Sequence, residues 1–250
     1  MRIRFDGKTV VVSGAGHGFG RCIAETFAQL GARVFGCDLS DAELAETAKA
    51  GVKTEVLDLT DRAAAATWIA QIEQTTGGAV DVLVNNAGGV AEQEMHPIEE
   101  VRDTDWDRVF AVNIGAAFAL SRAVAAGMKR AGSGRIVNIS SGDALGPSLT
   151  GIQAYCSAKH AVVGLTRQLA HELRPFGTTV NSVAPGFVRS NPASERQWAG
   201  YGEEGQKALV ERIAMKRLGT PQDITHSVVF FASELAGFVN GQVLAVDGGK

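Results

Sequence analysis

The chain has 250 residues, 45% of them hydrophobic, and a formal net charge of -3, enough apolar material for one α/β domain with a large core. That charge leaves no footprint for nucleic acid, and no segment is expected to approach a membrane span. Arg2 and Arg4 are followed by Asp6 and Gly7 rather than by an apolar stretch, so no secretory leader is expected.

Thr9–Ser13 is a short, β-branched, apolar run and predicts a buried strand. It leads into Gly14-Ala15-Gly16-His17-Gly18-Phe19-Gly20, then into a helix with Ile23, Phe27 and Leu30 at helical spacing. The spacing G-x-G-x-x-G fails here in every frame, whereas G-x-x-x-G-x-G fits at Gly14, Gly18 and Gly20. Glycines let a backbone come close to a ligand, and the free N–H groups of a helix start suit a pyrophosphate. A mere tight turn is the plainer reading, and a strand before with a helix after weighs against it.

The second predicted strand, Arg33–Asp38, ends in an acid. A carboxylate there accepts hydrogen bonds from the two ribose hydroxyls of an adenosine and repels a 2′-phosphate. No Arg or Lys follows Asp38 until Lys49, so NAD is expected in preference to NADP. A helix-capping role for Asp38 competes, although Ser40 or Asp41 can serve as that cap. Lys53–Leu57 predicts a third strand, and Asp61–Gln74 a helix with Asp61 in its cap region. Val80–Asn85 is the fourth strand and runs into Asn85-Asn86-Ala87-Gly88. Thr104–Lys129 is Ala-rich and predicts a helix carrying Asn113, and Arg135–Ser140 predicts the fifth strand, next to Ser141.

Tyr155 and Lys159 follow at i and i+4, which places them on one face of a helix. An ammonium beside a phenol favours the phenolate and is expected to draw the tyrosine pKa down from about 10. Such a phenol is a general acid in one direction and a general base in the other. Taken alone, the pair reads equally as a packed tyrosine near a surface lysine. Strands at Thr178–Ala184 and Val243–Val246 complete the alternation. It argues for a doubly wound, Rossmann-type parallel sheet of about seven strands with helices on both faces, one domain over 1–250. Phe187 to Gly205 breaks the rhythm, holding Pro192, Trp198, Tyr201 and glycines without strand-like alternation. A long loop at a strand's C-terminal end is more often functional than idle.

With these motifs in order, the chain resembles the classical short-chain dehydrogenase/reductase family over nearly its whole length. The motifs are Ser13 to Gly20; Asp58 with Leu59; Asn85 to Gly88; Val112-Asn113-Ile114-Gly115; Gly134 to Ser141; Tyr155 with Lys159; Pro185 to Ser190; and Asn240 to Gly249. The resemblance implies a cofactor set of Gly14, His17, Gly18, Phe19, Gly20, Asp38, Leu39, Asp58, Leu59, Asn86, Ala87, Gly88, Tyr155, Lys159, Pro185, Gly186, Val188 and Ser190. It implies a catalytic set of Asn113, Ser141, Tyr155 and Lys159, with Lys159 also holding the nicotinamide ribose and Asn113 helping to hold a water that links Lys159 to solvent. Three departures stand out. Ser13 replaces the usual Thr, Ser190 stands where Thr is common, and the Ser141-to-Tyr155 spacing is one residue longer than usual. The extra residue is expected in the loop 142–151. By the same resemblance, 187–216 is the substrate-loop region.

The expected reaction is hydride transfer between a nicotinamide and a carbinol or carbonyl carbon, with Tyr155 moving the proton and Ser141 hydrogen-bonding the substrate oxygen. Asp143, Gln153, Arg189 and Arg196 are candidates to face substrate, the arginines by pairing with a carboxylate. Polar candidates outnumber aromatic ones, which points to a sugar, polyol or deoxy-keto sugar acid; a 3-oxoacyl thioester is the alternative substrate. A non-catalytic dinucleotide sensor and a nucleotide-binding methyltransferase share the opening motif. The first would be expected to lose Tyr155, Lys159 or Ser141, and the second leaves Tyr155 and Lys159 unexplained. Cys22, Cys37 and Cys156 lack metal spacing and read as reduced thiols of a cytoplasmic protein. The five histidines are scattered, so no metal is expected. By the resemblance, the helices bearing Asn113 and Tyr155 pair the chain into a homotetramer, and Ala116, Ala117, Ala119, Ala123, Ala125 and Ala126 suit close packing there or in the chain's own core.

Overall fold

A computed structural model describes residues 3–148 and 151–250. Arg2 and two positions of the predicted loop 142–151 lie outside the described residues. The strands are β1 (Thr9–Ser13), β2 (Arg33–Asp38), β3 (Lys53–Val56), β4 (Val82–Asn85), β5 (Gly134–Ile139), β6 (Thr178–Pro185) and β7 (Val243–Val246). They form one parallel sheet in the order β3-β2-β1-β4-β5-β6-β7. The predicted strands all form, with ends shifted by a residue or two. The helices are α1 (Gly18–Gln29), α2 (Asp41–Ala48), α3 (Arg62–Thr76), α4 (Asp103–Phe110), α5 (Ala116–Ala131), α6 (Gln153–Leu173), α7 (Pro192–Gly200), α8 (Gly202–Arg212) and α9 (Pro221–Ala232).

Alternate side chains of a strand point to opposite faces, and both faces are covered. Val10 and Val12 join Ile23 and Phe27 of α1 and Ile224 and Val228 of α9 in one core. Val11 joins Trp68 and Ile69 of α3 and Leu120 and Val124 of α5 in the other. Each fully buried side chain of this kind contributes about 1.5–3 kcal/mol.

Two sequence expectations are corrected. Phe187 to Gly205 is not a loop: α7 and α8 occupy most of it. Asn191 closes a capping box with Ser194, and Pro192 sits at the first helical position, a start signal that a search for strand alternation passes over. The second concerns the membrane. Residues Asp103–Ala131 form a continuous 29-residue helix with a mean hydropathy of 1.7 in its most apolar window, long enough to span. One face of it is buried in the fold, where Ala116, Ala119, Leu120, Val124 and Met128 are all at most 2% exposed, while Phe118 stays exposed. A π-helical turn, Ala111–Gly115, interrupts it between α4 and α5.

Sequence-distant polar groups are tied together beneath the site. The Asn85 amide donates to Asn138 Oδ1 at 2.8 Å and to Ser121 Oγ at 3.0 Å, and the Asn138 amide donates to Thr166 Oγ1 at 2.8 Å. All four side chains are buried. Truncating Asn138 to Ala strands partners on both sides, so we expect a loss of about 1–3 kcal/mol. Urea unfolding should show a lower midpoint at an unchanged slope.

Candidate active site

The glycine turn, Asn85 to Gly88, Ser141 and Pro185 to Ser190 sit at or just past the C-terminal ends of β1, β4, β5 and β6, whereas Asn113, Tyr155 and Lys159 are carried by helical segments. The chain reverses direction across the sheet between β1 and β4, and such a switch point opens a ligand crevice. Gly14 ends β1 with φ +65°. A Cβ there would lie 2.9 Å from the Ala87 Cα and from the Asn86 amide nitrogen, and a Cβ on Gly20 would collide with the Gly14 carbonyl oxygen. The two turns are therefore pressed together, and hydrogen bonds hold them. Ser13 Oγ accepts from the backbone N–H groups of Asn86 and Ala87, both at 3.0 Å, while the Asn86 amide donates to the carbonyls of Ser13 and Gly14, both at 3.0 Å. The hydroxyl kept by Ser13 explains why it can stand in for threonine.

Gly18 opens α1 with φ +57°, and a Cβ on it would lie 2.9 Å from the Ser190 carbonyl oxygen. A cavity of about 530 Å³ opens here, lined by Gly18, Cys22, Arg189, Ser190 and Asn191 among others. His17 is exposed at the cap of α1, and Phe19 packs against the core. A narrow backbone cradle at a helix start, roofed by the segment after β6, fits a dinucleotide pyrophosphate. Val188 is buried in that segment, and the Gly186 N–H bonds the Val246 carbonyl at 3.0 Å. Pro185 ends β6.

Asp38 reaches back to the same turn, where one carboxylate oxygen accepts from the Gly16 N–H at 2.9 Å and the other from the Leu39 N–H at 2.7 Å. Leu39 is exposed beside it. Asp58 is exposed and accepts from Thr60, whereas Leu59 is buried in the core. One residue here escaped the sequence reading. The Arg21 guanidinium bonds the Gly16 carbonyl, and it bonds Glu43 at both the carbonyl (3.0 Å) and the carboxylate (2.5 Å). Arg21 lies just after Gly20, on the N-terminal side of Asp38, and it is brought to the carboxylate's turn by the fold.

The proton-handling groups converge as the spacing requires. Lys159 is 4% exposed and its ammonium donates to the Ile139 carbonyl at 3.0 Å, 5.6 Å from the Tyr155 ring centre. Ser141 caps a short turn after β5, accepts from the Asp143 N–H at 3.1 Å, and shares a hydrogen bond with Tyr155. Asn113 occupies the π-helical turn. Its amide donates to the carbonyls of Gly89 (2.8 Å) and Val109 (2.7 Å), and its oxygen accepts from the Gly89 N–H at 3.1 Å. Both donor sites of that amide are used, so the side chain braces the turn after β4. A Cβ on Gly88 would strike Asn113 Oδ1 and lie 3.4 Å from Lys159 Nζ.

The expected drop in the tyrosine pKa is reversed. Tyr155 keeps some surface exposure, yet the protein packed around it pushes its phenol up to about 12. A hydrogen bond from Ser141 opposes that rise, and the Asp143 charge adds to it. Burial likewise pushes the Lys159 ammonium down to about 8. Lys159 thus does not offset the desolvation of its neighbour.

Among the remaining candidates, Gln153 opens α6 and donates to the His96 carbonyl at 2.9 Å. Arg189 grips the Glu195 carboxylate at 2.7 Å and lies over Trp198. Arg196 is exposed on α7. Trp198 and Tyr201 pack around Phe187 with ring centres 6.0 and 5.8 Å away.

Comparison with known proteins gives a consistent answer. A family model described as Enoyl-(Acyl carrier protein) reductase matches residues 14–250. An uncharacterized oxidoreductase of Thermotoga maritima is 37% identical, with 99% of each chain covered. The 3-oxoacyl-[acyl-carrier-protein] reductase FabG of Escherichia coli is 34% identical over 99% of this chain and 98% of its own. The crystal structure of levodione reductase superposes with a TM-score of 0.91 at 29% identity, covering 98% of both chains. A proposed NAD(P)-dependent gluconate 5-dehydrogenase from Beutenbergia cavernae, solved with NADP at low occupancy, gives 0.89 at 41% identity, covering 98% of this chain and 97% of its own.

The Lys159 shift has a thermodynamic signature. Between the folded value near 8 and the ordinary value of 10.5, the unfolded chain binds more protons than the folded one. Stability therefore rises with pH across that window, and the full penalty applies below it. The unfolding free energy of Lys159→Met minus that of the wild type should accordingly shrink between pH 8 and 10, as read by chemical denaturation at each pH.

Proposed function

The chain belongs to the short-chain dehydrogenase/reductase family, an oxidoreductase using a nicotinamide cofactor and a small-molecule substrate, and from that premise we propose that it is an NAD-dependent enzyme interconverting a secondary alcohol and its ketone. The observation that carries the reading is the convergence of Ser141, Tyr155 and Lys159 at the crevice beside the glycine turn. When bound, the cofactor supplies the site that gives or takes the hydride. The protein's groups handle the proton. Tyr155 passes it to or from the substrate oxygen, Ser141 hydrogen-bonds that oxygen as charge develops, and Lys159 holds the ribose, with Asn113 helping to hold a water that links Lys159 to solvent. Raised to about 12, the phenol is protonated at neutral pH, the form that can give a proton to a substrate oxygen, although the shift itself makes it a weaker acid.

NAD over NADP rests on two observations. The Asp38 carboxylate lies where an adenosine ribose is expected, and Arg21, the nearby cation, is spent on Glu43. The substrate we propose is a polar, hydroxylated small molecule such as a sugar, polyol or deoxy-keto sugar acid, with 187–216 closing over it. A second reading, reduction of a 3-oxoacyl thioester, is favoured by the Escherichia coli relative. The same proposal places the protein in the cytoplasm, in keeping with three free cysteines.

Tyr155→Phe should lose turnover by at least about a hundredfold while NADH still binds by fluorescence. In the wild type, NADH should outperform NADPH across a panel of polyols, sugar acids, cyclic alcohols and a 3-oxoacyl thioester. Near-normal turnover in Tyr155→Phe would remove the assignment, and a clear NADPH preference would remove the cofactor reading.

We also propose a homotetramer with closed two-fold symmetry. Ala116, Ala117 and Ala119 are consumed by the chain's own core, so they lend it no support. Phe118 is a better sign, partly exposed on α5 with the Arg62 and Arg122 guanidiniums 5.6 and 5.1 Å from its ring centre. Light scattering at micromolar concentration should give four times the 26.2 kDa chain mass, and a monomer mass would refute it.

A further inference from the structure

Two opposite charges meet at one glycine. Asp38, at the end of β2, accepts from the Gly16 N–H at 2.9 Å, and the Arg21 guanidinium on α1 donates to the Gly16 carbonyl. A Cβ on Gly16 would lie 2.8 Å from the Asp38 carboxylate carbon and 3.1 Å from the Glu43 Cβ, so the two acids flank the same turn. Glu43 stands in the first turn of α2, where its backbone N–H bonds the Ser40 cap at 3.3 Å. Arg21 Nη2 reaches the Glu43 carboxylate at 2.5 Å and its carbonyl at 3.0 Å.

The guanidinium is also held from a third side. Its Nε donates to Thr47 Oγ1 at 3.2 Å, and that buried hydroxyl donates to the Ala15 carbonyl at 2.8 Å. The Arg21 and Glu43 side chains remain 28% and 44% exposed. An ion pair this open adds little to stability, whereas a charge fixed beside a binding turn acts on whatever binds there. The other charged groups around the turn are Asp41 at the start of α2 and His17 at the cap of α1, both exposed. Lys49, just past α2, is paired with Glu46 at 2.6 Å. With Arg21 matched by Glu43, Asp38 and Asp41 leave the turn negative.

We propose that Glu43 is a specificity-determining residue for the cofactor and that it acts through Arg21. By cancelling that cation it leaves the Asp38 carboxylate to meet the adenosine ribose alone, and a 2′-phosphate is repelled. Without the Glu43 charge, a guanidinium anchored to the same glycine as Asp38 would attract that phosphate through space. A unit charge about 5–8 Å from a phosphate dianion in a solvated site is worth about three- to thirtyfold in affinity, so no direct contact is required. The inference rests on the reading of Asp38 as an NAD determinant and extends it to the pair that enforces it.

The test measures binding of NADH and NADPH to the full chain by fluorescence, at about pH 8, where an imidazole carries little charge. It needs no substrate. Glu43→Gln keeps an oxygen that can accept from Arg21 and loses the charge. Its NADPH affinity should rise about three- to thirtyfold, while NADH affinity changes little and so reports that the variant folds. Glu43→Ala should reproduce the gain. Adding Arg21→Met to Glu43→Gln should abolish it, and Arg21→Met alone should bring none. A merely structural ion pair predicts instead that both single variants weaken both cofactors and that the double variant is no better. The Glu43→Gln gain should also shrink between about 0.02 M and about 0.5 M salt, as screening requires. An NADPH-to-NADH affinity ratio unchanged in Glu43→Gln would overturn the inference, as would a gain that survives the loss of Arg21. A wild type that prefers NADPH would instead remove the NAD reading beneath it, so the two failures are distinguishable.

Discussion

The site depends on one buried cation. An ammonium has three protons to share and is costly to take out of water. Lys159 is nevertheless almost wholly enclosed, and a single β5 carbonyl, that of Ile139, accepts from it. Its surroundings are tightly packed and hydrogen-bonded to one another. Asn113 fixes Gly89 from both its N–H and its carbonyl, and the π-helical turn that carries Asn113 aims it there. Extra-residue turns of this kind recur at functional sites because they redirect a side chain out of helical register. Gly88 then passes so close to Asn113 and Lys159 that a methyl group would not fit. The lowered Lys159 pKa is the mark of this enclosure.

The parallel sheet explains why residues distant in sequence meet. Each strand delivers its following turn to the same edge. The ends of β1, β4, β5 and β6 contribute Gly14, Asn86, Ser141 and Gly186 in turn. Parallel order needs a crossover helix between strands, so catalytic and binding residues lie on the connections while the strands supply the buried Val and Ile. The Asn85–Asn138–Thr166 chain of hydrogen bonds joins β4, β5 and α6 within the core. It ties the strand that leads to Ser141 to the helix that carries Tyr155.

Much of this was legible in the sequence because local patterns carried it. The strands announced themselves by β-branched runs, and the Tyr155–Lys159 pair by helical spacing. The placement of Ser13, Asn86 and Gly14 followed from motifs whose residues touch one another. What was not legible depends on environment. A lysine four residues from a tyrosine says nothing of how dry the phenol is, and here dryness outweighs the neighbouring charge. The helices α7 and α8 went unseen because their signal lies in the Asn191–Pro192 cap, not in a hydrophobic period. The helix 103–131 was legible as one element over Thr104–Lys129, and its spanning length belongs to that continuous run rather than to α4 or α5 alone.

The electrostatics of the phenol and those of the mouth have a common origin. Asp143 is tied to Ser141 through its backbone N–H, so its charge stays close to the reacting oxygen. A negative charge there favours the neutral phenol and, by the same Coulomb term, penalises a second anion. Ser141 works in the opposite sense, because a hydroxyl donating to the phenol oxygen stabilises the phenolate. Removing the Asp143 charge would therefore ease ionisation of Tyr155, whereas losing the Ser141 hydroxyl would oppose it.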